Sequence, residues 1–340
     1  MNGVARYDGD GRDWDAFVAR SAQGSFCHLF AWQDIMRDVL GHHCTYWAAH
    51  AADGTLQGVL PLVRVRAPLL GRYLVSMPFL NDGGPLGDDA TRMVLAARAR
   101  QQAESERADL LELRTRHAVP QWACVSHRKI TVQLPLPDSG HALWQRFPSK
   151  LRSQVRRPQK EGYVTRFGLD ERGAFYDVFS RNMRALGTPV LPRALFDRIA
   201  REFPALVEFG VVYAGDVPIA AGCGFSWQGE FEITWASSLR EYNRASPNML
   251  LYWAFLERLA ERGMHTFDFG RCTPGGTTHR FKQQWGGHDL PLPWAQWSSR
   301  GVAAPPTPDR PAFQLATACW RRLPLAVTNR LGPVIARRLP

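Results

Sequence analysis

Lys282 stands between Phe281 and Trp285, at the end of a glycine- and threonine-rich stretch, 271–286, whose polarity serves no evident packing purpose. Stretches of that kind usually carry function. An ammonium held among rings in a partly dry pocket stabilises the oxyanion that forms at a carbonyl under attack. The competing reading is a surface lysine whose stem lies over the rings and whose head stays in water. Asp268, just upstream in Phe267–Arg271, is placed either to orient Lys282 and take a proton, or to pin a loop by hydrogen bonds. Arg152 and Arg156 lie four residues apart, one turn on a helix face, the arrangement that clamps a phosphate or carboxylate; Lys150 and Arg157 flank them. A solvated basic helix explains the same pattern. In Tyr242–Asn248, Ser246 fits an N-cap and Pro247 a first helical turn, so backbone amides there would receive an anionic or carbonyl group.

Positioning these residues requires a lobe that begins near Val207. Residues 207–213, 217–227 and 230–238 read as three strands joined by tight turns at Ala214-Gly215-Asp216 and Gln228-Gly229. Met249, Tyr252, Trp253, Leu256, Leu259 and Ala260 then repeat with helical period, Gly263 supplies a stop, and 265–269 alternates like a buried strand. The N-terminal half carries a fainter copy: a hairpin around Ala52-Asp53-Gly54, a helix from about Asp89 to Ser105, then a strand at Asp109–Arg114. That copy puts Glu112 and Asp268 in equivalent slots.

The expected division is an N-terminal lobe at 1–140, a C-terminal lobe at 141–300 and a proline- and arginine-rich tail at 301–340. The turn residues of Pro135–Gly140 mark the first boundary, and the prolines of 301–311 mark the second. Pro158 is expected to interrupt the basic helix 144–162. The tail carries six arginines against one aspartate and interleaves them with apolar residues, so it either lies on an anionic membrane or packs on the first lobe.

Composition bounds the rest. Of 340 residues, 45% are hydrophobic and 21% charged, which supports packed cores and excludes a disordered polyelectrolyte. The net charge of +11 favours anionic partners such as phosphates, nucleic acid or lipid. Six scattered cysteines show no zinc or disulfide spacing, and His42-His43-Cys44 would point adjacent side chains to opposite faces of a strand, so no metal is expected. No serine-hydrolase elbow, phosphate-binding loop or dinucleotide fingerprint is present. With no long apolar run and a charged N-terminus, a cytoplasmic address is expected.

Together, Ser246-Pro247 with Leu250, Leu251 and Trp253, the strand Phe267–Arg271, Phe281-Lys282 with Trp285-Gly286, and Lys150-Leu151-Arg152 with Val155-Arg156-Arg157 resemble the FemAB family. The whole chain is similar to the FemAB-like proteins associated with exosortase (PEP-CTERM) exopolysaccharide systems. The resemblance implies an α/β fold of two tandem GNAT-like lobes, with mixed sheets flanked by helices. It implies acyl or aminoacyl transfer to an amine or hydroxyl of a cell-envelope glycan or peptidoglycan-type precursor, without a bound cofactor. In that reading Phe281-Lys282 is the family's catalytic pair, Arg152, Arg156 and Arg271 meet a phosphate, and Tyr242, Ser246 and Trp285 line the substrate site. The donor is left open between aminoacyl-tRNA and acyl-CoA. The helical arm that some relatives use on tRNA is not evident, and Arg184–Pro189 is a poor echo of a pyrophosphate loop. The partners implied are a phosphate-bearing glycan or lipid-linked precursor, with peripheral contact at the inner membrane. A CoA-dependent N-acyltransferase acting on an amino sugar, and a non-catalytic protein binding anionic glycan, lipid or RNA, are the alternatives.

Overall fold

The computed structural model describes residues 3–67, 71–299 and 311–339. They form two compact units, one from Met1–Lys129, Pro291–Pro308 and Val334–Pro340, the other from Ile130–Leu290 and Asp309–Pro333. The sequence boundary at 140 is therefore about ten residues late, and the tail is shared between units. The reason is that β7 (Ile130–Pro135) belongs to the second sheet, while β14 (Trp294–Ser298), which follows the second unit in sequence, joins the first.

In the first unit, β1 (Val4–Arg6), β2 (His43–His50), β3 (Leu56–Ala67), β4 (Gly71–Val75), β5 (Leu110–Leu113) and β6 (Val125–Ser126) make a sheet ordered β1-β2-β3-β4-β5-β14-β6, with β14 (Trp294–Ser298) inserted late. The β2–β3 turn is set by Gly54 at φ +85° and by Asp53, whose carboxylate accepts from the Thr55 amide and hydroxyl. Helix α1 (Gly11–Arg20) is capped by Asp10, and a short α2 (Trp32–Asp34) runs on into a π turn. Helix α3 (Asp89–Ser105) starts at the Asp88 cap and lays Leu95, Ala96, Ala99 and Ala103 on Leu60, Leu62, Leu111 and Leu113. Small residues on that stripe let helix and sheet approach closely.

In the second unit, β7 (Ile130–Pro135), β8 (Val164–Phe167), β9 (Val207–Ala214), β10 (Val217–Trp227), β11 (Glu230–Ser238), β12 (Thr266–Cys272) and β13 (His288–Pro291) are ordered β13-β7-β12-β11-β10-β9-β8. The β10–β11 turn uses positive φ at both Gln228 and Gly229, the hairpin geometry that matches strand twist. Helices α4 (Gly140–Arg146) and α5 (Ser149–Lys160) pack on α8 (Pro247–Glu261), whose Leu251, Phe255, Leu256 and Leu259 are buried against Phe231 and Phe267. The opposite face is covered by α6 (Arg172–Leu186) and α7 (Arg193–Glu202), where Phe175, Phe179 and Phe196 stack with Phe209 and Trp235. Pro158 does not break α5; it sits in the last turn, and the helix ends two residues later at Lys160.

The two sheets follow one plan. Three antiparallel steps lead to one parallel pair (β4 with β5, β11 with β12), and an antiparallel strand (β14, β7) follows. Glu112 opposes Gln296 and Asp268 opposes Gln133, and in each case the glutamine amide donates to the carboxylate, at 2.8 and 3.1 Å. The equivalence read between Glu112 and Asp268 is thus a matching position in matching sheets.

Of the proline-rich stretch 301–311, all but Pro311 lie outside the described residues. Helix α10 (Pro311–Arg322) packs on α6 of the second unit, not on the first lobe: Arg321 donates to the Leu186 carbonyl at 3.1 Å, and Gly187, at φ +78°, leaves room for Thr317. Helix α11 (Leu325–Ala336) follows, with Pro333 inside it. No described helix is long and apolar enough to cross a membrane.

Arg114 is buried beside Glu112, donating to its carboxylate at 2.9 Å and to the Leu80 carbonyl at 3.1 Å. Removing one member of such a pair leaves an uncompensated buried charge. Arg114→Met is expected to cost about 3–5 kcal/mol in urea unfolding, and Glu112→Gln added to it is expected to recover part of that loss. An unchanged midpoint in the single variant would contradict the pairing.

Candidate active site

The site is built where two parallel strands part. The β11–β12 register ends at Glu232↔Asp268, although β11 runs on to Ser238 and β12 to Cys272. Asp268 is fully buried on the sheet face away from α8. Its carboxylate accepts from the Thr131 hydroxyl, from the Gly270 amide at 2.6 Å and from Gln133 at 3.1 Å. This fits the loop-pinning role weighed for it. Carboxylate oxygens of Glu230, Glu232 and Asp268 lie within 4.8 Å of one another, a donor set with the composition of a hard-cation site. Lys282 supplies positive charge beside this cluster.

Lys282 projects from α9 (Thr277–Gln283) and is 3% exposed. Its ammonium donates to the carbonyls of Gly270 at 2.5 Å and Arg271 at 3.0 Å, on the part of β12 beyond its last pair with β11. Burial lowers its pKa from the ordinary lysine value, while Cys272, Asp268 and Glu232 oppose that shift and Arg271 adds to it. The side chain is not a surface lysine snorkelling over rings. It is a sheltered cation whose bonds in this structure are to backbone.

Phe281, one position earlier on α9, lines a cleft of about 670 Å³ with Ser246, Asn248, Tyr252, Thr277 and Gln284. None of the described residues lining it is charged. The cleft lies at the start of α8, where Ser246 is left-handed (φ +58°, ψ +49°) and makes no side-chain cap, contrary to the sequence expectation. Pro247 follows at the first helical position. Pro247 has no N–H and the Met249 amide donates to the Ser246 carbonyl at 2.9 Å, so the Asn248 amide is the first-turn donor without a side-chain acceptor, at the positive end of the helix dipole. Tyr252 is buried, which raises the pKa of its hydroxyl and keeps it a proton donor at working pH. His279 accepts from the Gly275 amide at 2.9 Å through Nδ1 and meets Asp289 at 2.9 Å through Nε2, tying down the loop before α9.

The structure thus brings Phe281 and Ser246 into one cleft and gathers Lys282, Asp268 and Arg271 at the strand split. Tyr242 lies half-buried in the 3-10 turn Arg240–Ala245 that leads into α8, packed on the core. Trp285 is buried among Phe147, Tyr252 and Phe269. The arginines of α5 stand apart: Arg152 is half-buried, and Arg156 is exposed with its guanidinium 5.3 Å from the Trp144 ring centroid. Gln154, between them in sequence, lines the cleft instead. Sequence reasoning missed Asn182, Asn248 and Tyr252; the last was read only as a core position of α8. Arg184–Pro189 is the end of α6, not a loop before α8.

A family model described as acetyltransferase (GNAT) domain matches residues 145–283. No curated protein matches the chain in sequence. Among solved structures, FemX is 14% identical, with a TM-score of 0.64 over 92% of this chain and 100% of its own. The C-terminal domain of a putative lysylphosphatidylglycerol synthetase from Agrobacterium fabrum is 13% identical, with a TM-score of 0.57 over 85% of this chain and 92% of its own. L-PGS from Bacillus licheniformis is 12% identical, with a TM-score of 0.56 over 92% and 98%. The fold is the tandem GNAT-like fold.

Left-handed backbone costs a residue with a Cβ about 1–2 kcal/mol, against roughly 0.5–1 kcal/mol of added chain entropy for glycine. Ser246→Gly is therefore expected to leave thermal stability unchanged or raise it by up to about 1 kcal/mol. A loss larger than that would show that the hydroxyl caps α8.

Proposed function

We propose that the second unit is an acyltransferase that moves an acyl or aminoacyl group onto an amine or hydroxyl of a cell-envelope glycan or peptidoglycan-type precursor. The observation that carries this reading is the uncharged cleft lined by the end of β11, the start of α8 and α9, with a sheltered ammonium on α9 where β12 parts from β11. Attack on the donor carbonyl forms a bond from nitrogen or oxygen to carbon and moves an electron pair onto the carbonyl oxygen. The Asn248 amide at the α8 start offers a hydrogen bond to that oxygen, worth most once it carries charge. Collapse breaks the bond to the donor's oxygen or sulfur, and the Tyr252 hydroxyl is the proton source for that leaving group. Water carries away the proton of the attacking group.

Lys282 acts in this scheme as a positioning residue that also sets the local field. By holding the Gly270 and Arg271 carbonyls it ties α9 to the end of β12, and its charge offsets Asp268 and Glu232 beside the reacting carbonyl. The resemblance to FemAB proteins gives the ammonium a direct role at the oxyanion, which would require it to exchange one carbonyl for substrate. Acyl-CoA is favoured as donor by one observation: the first turn of α8 lacks a side-chain cap, and such a turn accepts a phosphate. The link to exopolysaccharide and exosortase systems, a cytoplasmic address, and contact with the inner membrane belong to the same proposal. Leu315, Val327 and Leu331 are exposed beside Arg321, Arg322 and Arg330 on α10 and α11, which supports that contact.

The test is mass spectrometry of an amino-sugar or peptidoglycan-precursor acceptor after incubation with the full chain and either acetyl-CoA or alanyl-tRNA. Acceptor mass gain from one donor is expected, with Tyr252→Phe at least about a hundredfold slower, the range for loss of a general acid. No transfer from either donor, with salt-sensitive glycan binding in its place, would favour the non-catalytic reading.

The pH profile gives a second check. Because burial lowers the lysine pKa, the ammonium prevails below that value and is lost above it. The rate is expected to fall on the alkaline side before the ordinary lysine value of about 10.4 is reached. In Lys282→Arg that limb is expected to move to higher pH; an unmoved limb would assign it to another group.

A further inference from the structure

The first unit holds a basic cavity of about 400 Å³ that the transfer reaction does not use. It is lined by His42, His43, Arg64, Arg66, Arg337 and Arg338, together with Leu40 and Gly41. Arg64 and Arg66 stand two apart on β3 and so share a face; His43 opens β2 directly opposite Arg64. Arg337 and Arg338 come in at the end of α11, in the segment that belongs to this unit. Glu106 pairs with Arg64 at 3.2 Å, the one carboxylate that pairs with a lining arginine among the described ion pairs. Four guanidinium groups thus converge with little negative charge to offset them.

A second observation points into the same cavity. His42 is 7% exposed, stacks on Phe79, and its Nε2 is buried without a hydrogen-bond partner. A buried polar nitrogen left unmet carries a desolvation cost that a ligand atom removes. The neighbouring charge already bears on both rings: burial and Arg337 push the His42 pKa down to about 4, and burial with Arg64, Arg6 and Arg66 lowers that of His43. A neutral imidazole with its proton on Nε2 donates from that nitrogen.

We propose that this cavity binds a phosphate group, with Arg64, Arg66, Arg337 and Arg338 as charged donors and His42 Nε2–H as the buried one. Planar guanidinium forks match phosphate oxygens in pairs, and the volume falls in the range of small-ligand sites. The group is either a free phosphate or pyrophosphate moiety, or the phosphodiester of a lipid headgroup. The lipid source has local support, because Val334 and Ile335, one turn before the two arginines, are exposed at 42% and 38%. The site stands independently of the acyl-transfer reading, since none of its residues lies in the second unit.

Calorimetric titration of the full chain with inorganic pyrophosphate, at fixed ionic strength, reads the free-phosphate source. Co-sedimentation with phosphatidylglycerol–phosphatidylcholine vesicles, against phosphatidylcholine alone, reads the headgroup source. Saturable binding to at least one probe is expected. It should weaken at least about tenfold in Arg66→Gln/Arg337→Gln/Arg338→Gln and about as much in Arg337→Gln/Arg338→Gln, which keeps β3 intact. Arg12→Gln/Arg201→Gln, which removes two exposed arginines elsewhere, should stay within about twofold of the parent chain. Binding to vesicles alone assigns the headgroup; binding to pyrophosphate assigns the free moiety. Absence of binding to both probes, or equal losses in the double variant and the Arg12/Arg201 control, would overturn the proposal.

Discussion

A lysine ammonium bonded to two backbone carbonyls at the point where parallel strands part is the contact on which the rest depends. Beyond Asp268, β12 keeps β7 on one side but has parted from β11 on the other, and the Gly270 and Arg271 carbonyls take the Lys282 ammonium as donor, since a buried unpaired carbonyl is costly. Lys282 meets that need from α9, tying that helix to the end of β12. Fixing the end of β12 also fixes Asp268, through the Gly270 amide, and holds α9 with Phe281 at the cleft. Structure and chemistry therefore meet in one side chain.

The first unit solves the same problem with a different residue. Beyond its last parallel pair, Val75↔Glu112, the guanidinium of Arg114 takes the Leu80 carbonyl and the Glu112 carboxylate and stacks on Trp294. Here the basic group is enclosed by an ion pair, whereas in the second unit the ammonium is bonded to backbone carbonyls and its neighbour Phe281 lines an uncharged cleft. The basic cavity with His42 gives the first unit a separate task.

How much of this was legible in the sequence follows from which forces are local. The meander, its turns and α8 were readable because strand alternation, positive-φ turn residues and helical period are written in consecutive residues. The repeat was readable because Glu112 and Asp268 occupy equal places in equal local patterns. The insertion of β14 into the first sheet was not, since pairings such as Gln296 with Glu112 link residues far apart in the chain and leave no periodic mark. Ser246 looked like a cap because its type suits one, but the turn Arg240–Ala245 delivers it in a left-handed conformation. Arg152 and Arg156 had the spacing of a phosphate clamp, yet Trp144 beside Arg156 offers a ring to stack on, and the clamp face turns elsewhere. Tyr252 was hidden by its own hydrophobic period, which a phenol shares with any core residue.

The most direct test of the account is the turnover number of Lys282→Met, measured on the folded fraction beside Lys282→Arg. A fall of at least about a hundredfold in kcat for methionine is expected, of the size seen when one fixed electrostatic donor is removed. Arginine, which can still reach carbonyls with a charged donor, is expected to recover part of that rate. A methionine variant that folds and turns over at the rate of the parent chain would contradict the claim that the site depends on this buried ammonium.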